Sequence, residues 1–294
     1  MSRLDWNRDG RDWPHRGASR FVAAGGAHFH VQVMGAGPPV LLLHGMGAAS
    51  HSWRGLAPLL ADRFTVVAPD LPGHAFTPMP LDGMSLPGMA RAVAALLAAL
   101  GMRPELVVGH SAGAAIAVRM ALDGMIAPQA VVSLNGALLP MHGLAGQLFS
   151  PAARLLARLP LVPELFTSLA GDQSSVARLL RDTGSIIDAE GLRLYARLVR
   201  NPGHVAGALA MMAHWDLPAL ARDLPLLAAK LVLVAAGNDR TVPPATAARV
   251  RAMLPAASVV TLPGLGHLAH EERPDLVADL ATALLAPEPA EAAS

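Results

Sequence analysis

A serine hydroxyl is a weak nucleophile near neutral pH, so serine chemistry needs a positioned base and an acceptor that fixes the tautomer of that base. The chain holds one serine framed for such work. Gly109, His110, Ser111, Ala112 and Gly113 form a G-x-S-x-G pentapeptide between the apolar run LVV and the helix-like stretch AAIAVRMAL. A sharp strand-to-helix turn would hold Ser111 in a strained backbone conformation, and the flanking glycines are needed because a Cβ there would collide with neighbouring elements. Further along, Gly237, Asn238, Asp239 and Arg240 follow the run LVLVAA, and Gly266 and His267 follow the run VVTL. Asp239 would orient His267, and His267 would deprotonate Ser111, which is the chemistry of acyl transfer and ester hydrolysis.

Each of these residues also has a plainer reading. Gly-rich turns join strands to helices in many α/β proteins. Asn-Asp after a strand is common turn chemistry, and His270 is a rival base three residues beyond His267. His267 is preferred because it sits in the loop immediately after the strand, whereas His270 is expected to start the last helix. His44, Gly45, Met46 and Gly47 follow VLLL. They form a tight turn, or they supply a Met46 N–H that joins the Ala112 N–H to bind a developing oxyanion, each donor being worth roughly 10²- to 10³-fold in rate. His28, His30, His51 and His74 raise the question of a metal. His28 and His30 fall on one face of a hairpin strand, but no carboxylate or third histidine is recognisably placed beside them, so neither a metal site nor a cofactor is expected.

The elements that must position these residues are legible as alternating periods. Arg20 to Ala24 and His28 to Met34 alternate about Gly25 and Gly26, as a hairpin would. The runs Val40 to Leu43, Phe64 to Ala68, Leu106 to Gly109 and Ala130 to Leu134 are continuously apolar, which fits strands buried on both faces of a parallel sheet. Helices are predicted over Ser52 to Leu60, Leu86 to Leu100 and Ala112 to Leu122. From Gly136 to about Trp215 the pattern changes to helical pieces with Pro breaks and no convincing strand. The alternation then resumes with a strand at Lys230 to Ala235, a helix near Ala245 to Leu254, a strand at Ser258 to Leu262 and a helix from Pro274 to Leu285. The expected organisation is a hydrolase-type core over 1–135 and 216–286, an inserted helical cap over 136–215, and a disordered tail over 287–294.

Composition narrows the function. A chain of 294 residues suits one large α/β domain with an insertion. Its formal net charge is +1, with basic residues scattered rather than gathered in a stripe, so nucleic-acid binding is not expected. Zero cysteines exclude disulfides, thiolate catalysis and thiolate metal sites, and permit a reducing compartment. The opening MSRLDWNRDGRDWPHR is charged and polar, the opposite of a secretory signal, so a cytoplasmic location is expected. No apolar run reaches the roughly 18 residues of a spanning helix, although contact with a membrane face stays open.

Five motifs in order, LLLHGMG, VVAPDLPGH, GHSAG, GNDRTVP and GLGHLAHEE, resemble the α/β-hydrolase superfamily across most of the chain. The resemblance implies an α/β-hydrolase fold: a mostly parallel central sheet with an N-terminal antiparallel hairpin, helices on both faces and an inserted helical cap. It implies a catalytic triad of Ser111, Asp239 and His267 with an oxyanion hole at Met46 and Ala112. One departure is Ala75, where G-x-G or G-x-S is frequent after the Pro-Asp strand end. More narrowly, NRDGRDWPHRGASRF, HFHVQVMGAGPPVLLLHGMGAASHSW and PDLPGHAFT resemble the BchO-type family of bacteriochlorophyll biosynthesis, described as magnesium-chelatase accessory proteins. That resemblance implies a role around magnesium insertion into protoporphyrin IX, with magnesium chelatase as a partner.

Cap sequence in such a fold usually sets substrate choice. Here LLPMHGLAGQLFSPAARLLARLPLVPELFTSLA is strongly apolar with interspersed arginines. It suits a large, flat, hydrophobic ligand such as a tetrapyrrole or its ester. It equally suits a helical cap packing on its own core, or peripheral docking to a membrane face.

Overall fold

Val- and Leu-rich runs that are apolar on both faces are stable only between two layers, and the chain places them there. A computed structural model describes residues 3–80, 83–140, 159, 161–170 and 172–286. Eight strands form one sheet: β1 (Ser19–Ala24), β2 (Ala27–Met34), β3 (Pro39–Leu43), β4 (Thr65–Pro69), β5 (Leu106–His110), β6 (Ala130–Leu134), β7 (Lys230–Ala236) and β8 (Ser258–Leu262). Their spatial order is β1-β2-β4-β3-β5-β6-β7-β8. The β1–β2 hairpin is antiparallel, β2 pairs antiparallel with β4, and every later pairing is parallel.

Alternate residues of each central strand feed two different cores. Leu41, Leu43 and Val107 face one layer, built on α3 (Leu86–Leu100) and α4 (Ala112–Leu122). Val40, Leu42, Leu106 and Val108 face the other, with α2 (Leu56–Ala61) and the last helix, Pro274–Leu284. Burying each such Val or Leu completely stabilises the fold by about 1.5–3 kcal/mol. The chain runs from β3 to β4 on one side and then to β5 on the other. Loops leaving the carboxyl ends of β3 and β5 therefore diverge and leave a crevice between them, the place where open α/β sheets take their ligands.

The predicted helices over 86–100 and 112–122 form at those bounds, whereas the one over 52–60 is divided. Ser50–Trp53 is a 3₁₀ turn, in which the Ser52 hydroxyl donates to Ala49 O at 3.0 Å, a local bond that competes with the α ladder. α2 starts only after Gly55. His270 also differs from expectation. It lies in a separate four-residue helix, Ala269–Glu272, because Pro274 begins the last helix and lacks the N–H that would continue the earlier one.

Between β6 and β7 the described residues contain helices and turns but no strand: α5 (Val162–Ala170), α6 (Gln173–Asp182), α7 (Ala189–Val199), α8 (Pro202–Ala213) and α9 (Leu217–Asp223). Much of the apolar stretch singled out in the sequence, residues 141–158 and 160, lies outside the described residues, as does the 287–294 tail.

Residues ahead of the hairpin are anchored to the core by two tryptophans. Trp13 is buried and its Nε1–H donates to Ser50 Oγ at 3.1 Å. Trp6, at the start of the short helix α1 (Trp6–Asp9), packs against His30, Phe21 and Phe76. His30 is thus covered while His28 on the same strand face stays exposed, which separates the two histidines considered for a metal. Among the described residues no group of three or more His, Cys, Asp or Glu is arranged to hold a metal ion. No helix among them is long and apolar enough to cross a membrane.

Candidate active site

Ser111 sits between β5 and α4 at φ 51°, ψ −114°, a backbone conformation that L-residues rarely adopt. The elbow is possible because of its neighbours. A Cβ on Gly109 would stand 2.5 Å from Ala114 Cα, and one on Gly113 would stand 2.1 Å from Leu43 O. Both glycines let backbones approach closer than any side chain permits. Ala114 N and Ala137 N both donate to Ser111 O, at 3.2 and 3.1 Å, and fix the turn from two directions.

The turn after β3 lies directly against this elbow, where a Cβ on Gly45 would meet Ser111 Cβ at 3.1 Å and His110 Nδ1 at 2.8 Å. His44 orients it. Its Nε2 accepts from Leu71 N at 2.9 Å, so Nδ1 carries the proton and donates to Gly45 O at 2.8 Å. Ala48 N also donates to Gly45 O, at 3.2 Å. Because a trans peptide points its N–H opposite to its C=O, tying down Gly45 O fixes the direction of the Met46 N–H. The Met46 side chain is exposed and Ala112 is buried at the start of α4.

Asp239 and His267 come from loops 28 positions apart and meet at 2.7 Å, Oδ2 to Nδ1, with both residues buried. The other carboxylate oxygen, Oδ1, accepts from Thr241 N at 2.7 Å and Val242 N at 2.8 Å, which fixes the plane of the acid. Two side chains hold the base by its backbone. His110 Nε2 donates to His267 O at 2.9 Å, and Asn135 Nδ2 donates to His267 O at 2.9 Å and Gly266 O at 3.1 Å. Asn135 Oδ1 accepts from Ala236 N at 2.8 Å, so this one amide ties the base loop to the end of β7, three residues before the acid. Asn135 itself has φ 46°, a region that Asn tolerates better than most residues.

His270, the rival to His267, is buried and neither of its ring nitrogens makes a hydrogen bond among the described residues. It is packed between Trp53 and His110, and burial, with His267 and Arg54 adding to it, lowers its pKa to about 3. Beside it Glu271 is also buried; its carboxylate meets Arg54, and Tyr195 OH donates to it at 2.7 Å. Burial raises Glu271 to about 7 in spite of those partners.

Residues of the inserted helices also reach this region, and nothing in the sequence pattern marks them. Thr183 O, after α6, accepts from Arg240 N at 3.1 Å and from His267 N at 3.4 Å. Ser185 Oγ accepts from Leu268 N at 2.9 Å, and a Cβ on Gly266 would stand 2.3 Å from Gly184 C. Thr183–Ser185 therefore stitches the acid loop to the base loop. Asn135 had a signal in sequence, an amide directly after a strand; Thr183 and Gly184 had none.

The architecture and the elbow together define a class, and a family comparison agrees: the alpha/beta hydrolase family matches residues 40–280. The chain belongs to the α/β hydrolase family. Within it, the chain is similar to the magnesium-chelatase 30 kDa subunit of Rhodobacter capsulatus, 40% identical over 267 residues that cover 90% of this chain and 93% of that protein. Among solved structures it resembles an epoxide hydrolase without ligand, with TM-score 0.76 and 23% identity over 90% of this chain and 97% of that one. A serine hydrolase involved in carbazole degradation matches with TM-score 0.73 and 21% identity over 91% and 98%. At those identities the two structures speak for the fold.

Proposed function

We propose that this protein is a serine hydrolase acting on a hydrophobic ester, with Ser111, His267 and Asp239 as its triad and the Met46 and Ala112 N–H groups as its oxyanion hole. Ser111 Oγ attacks the ester carbonyl while His267 Nε2 takes its proton; the tetrahedral oxyanion is held by the two N–H groups. Collapse expels the alcohol, which receives the proton from His267, and a water deprotonated by His267 then releases the acid and regenerates Ser111. Asp239 stabilises the imidazolium that forms in each half. The observation that carries the reading is the conjunction of a strained Ser111 elbow with a buried His267–Asp239 pair at 2.7 Å.

The substrate side of the proposal is a tetrapyrrole ester in bacteriochlorophyll (magnesium-porphyrin) biosynthesis, at a cytoplasmic site. It is supported by the similarity to a magnesium-chelatase subunit and by the apolar insertion. In this reading residues 136–215 act as a cap over a core formed by 1–135 and 216–286. Leu165 and Leu169, one turn apart on α5, and Leu161 just ahead of it are all exposed and support peripheral contact of that cap with a membrane.

The similarity to the Rhodobacter capsulatus magnesium-chelatase subunit favours a second reading, a non-catalytic porphyrin-binding protein that supports magnesium chelatase. One experiment separates the two. Purified protein is given porphyrin methyl esters and simple p-nitrophenyl esters, with Ser111→Ala as control, while porphyrin binding is followed by fluorescence. Hydrolysis that vanishes in the variant sustains the hydrolase. Saturable porphyrin binding and chelatase stimulation that survive Ser111→Ala, without hydrolysis, sustain the accessory role.

A further inference from the structure

The oxyanion turn is framed by two carbonyls, and only one is held from within. Gly45 O is bound by His44, a member of the turn. Gly47 O is bound at 3.1 Å by His204 Nε2, which comes from α8 in the insertion, 157 residues away. The Nδ1 of the same ring accepts from Ala75 N at 3.0 Å. With an N–H donor at Nδ1 and a carbonyl at Nε2, the tautomer is Nε2–H and both nitrogens are satisfied. Burial lowers the pKa of His204 to about 4, so the neutral ring that this pattern requires is the one present near neutral pH.

His204 is fixed at its root as well as at its tip. Asn201 Oδ1 accepts from His204 N at 2.9 Å and caps α8. One turn on, a Cβ on Gly207 would stand 1.9 Å from Gly73 O, so α8 rests backbone to backbone on the loop after β4. His74 fills the space between, its ring centroid 5.3 Å from those of both His204 and His44. Ala75 takes part through its left-handed φ of 43°, which aims its N–H at His204. The turn itself has no comparable packing at Gly47, where φ is 77° and an added Cβ would meet nothing within 4 Å. Hydrogen bonds rather than side-chain packing hold it on that side.

We propose that His204 is a positioning residue, through which helix α8 of the insertion sets the oxyanion turn His44–Gly47. The inference rests on the catalytic reading above, and it assigns the insertion a part in transition-state stabilisation besides any part in substrate choice. Gly47 O and the Ala48 N–H share one peptide, so without the bond to Gly47 O that peptide can turn, the Ala48 bond to Gly45 O is loosened, and the Met46 N–H is held by His44 alone in its line toward Ser111. Misplacement of a catalytic group by about 1 Å can lower a rate by about 10²-fold.

Two conservative variants separate the two hydrogen bonds of the ring. In His204→Asn the amide lies where Nδ1 was, within reach of Ala75 N but not of Gly47 O. In His204→Gln it lies where Nε2 was and can donate to Gly47 O. The readouts are the rate of Ser111 phosphonylation by a fluorophosphonate, kcat and KM for a p-nitrophenyl ester, and the melting temperature. His204→Asn is expected to lose about 10- to 100-fold in kcat and in phosphonylation rate, with KM changed by less than about threefold. His204→Gln is expected to stay within about threefold of wild type in all three. A purely structural role predicts rates that follow melting temperature instead, so Asn and Gln variants reacting alike below their melting points would overturn the proposal. Wild-type protein that fails to react at all would bring down the catalytic reading and this inference together, an outcome distinct from reactive variants that match a reactive wild type.

Discussion

The two halves of the insertion are written in similar apolar sequence and end in opposite situations. Leu161, just ahead of α5, and Leu165 and Leu169 within it are 76%, 58% and 70% exposed, and Leu179 on α6 is 48% exposed. On α7 and α8, Leu194, Leu198, His204 and Met211 are buried. Polar partners make the difference. Arg193 and Arg197 of α7 pair with Asp12 of the N-terminal arm, Asp188 pairs with Arg54, and Tyr195 reaches Glu271 beside the base loop. An amphipathic helix records that it has an apolar face; what that face meets is written in residues far along the chain. The second half, together with the Thr183–Ser185 link, borders the candidate site, whereas α5 packs on α8 by one face and leaves Leu165 and Leu169 to solvent on the other.

Substitutions that strike the buried half should test that contrast most harshly. A Cβ at Gly184 would stand 1.9 Å from Asn238 O, at a φ of 89° that side chains avoid. Gly184→Val is therefore expected to destabilise the protein by about 3 kcal/mol or more and to abolish activity; an unchanged thermal melt would show that the 183–185 link is slack. Asn135→Ala comes next. It leaves Ala236 N without its acceptor and His267 O with one donor fewer, costing about 2 kcal/mol and lowering activity further than stability alone would.

A pH series sharpens the comparison at Glu271, where α7 meets the base loop. Its folded pKa of about 7 lies above the model-compound 4.5, so the folded protein binds the proton more tightly. This group therefore adds stability as pH falls from about 7 to 4.5. Buried His204 and His270 act in the opposite sense, being neutral when folded and protonated when unfolded, and remove stability as pH falls below about 6.5. Glu271→Gln deletes only the first contribution. Urea titrations from pH 7.5 to 4.5 should show a steeper acid loss in that variant than in wild type, and parallel curves would contradict the burial argument. The smallest effect belongs to the exposed half: Leu165→Ser with Leu169→Ser should shift stability by no more than about 0.5 kcal/mol per site. A loss of several kcal/mol in chemical denaturation would mean that the Leu165–Leu169 face of α5 is covered after all.

What could be read from the sequence follows the range of the interactions involved. Strands buried on both faces advertise themselves as apolar runs, and β6 forms at the predicted bounds; the edge strand β8 does so too, although its residues are only partly buried. The elbow is legible as a local motif, although only Gly109 carries its steric reason within five residues, at Ala114; that of Gly113 is the distant Leu43 O. Ala75 was legible as a departure, but its left-handed backbone and its bond to His204 were not, because the partner lies 129 positions away. The N-terminal arm looked merely polar. Its charges proved to be contacts: Asp12 with α7, and His15 Nε2 with Arg54 O at 2.8 Å. Thr183 is an ordinary helix-end residue and His204 an ordinary first-turn helix residue by pattern, and only the fold turns the one toward the Asp239 and His267 loops and the other toward Gly47.

The central claim is that Ser111 is an activated nucleophile, and it can be met directly. Wild-type and Ser111→Ala protein, both shown to be folded, are treated with a fluorophosphonate and the modified residue is mapped by mass spectrometry. The account predicts stoichiometric labelling at Ser111 that is absent from the variant. Folded wild-type protein that stays unlabelled, or labels equally after Ser111→Ala, would contradict it.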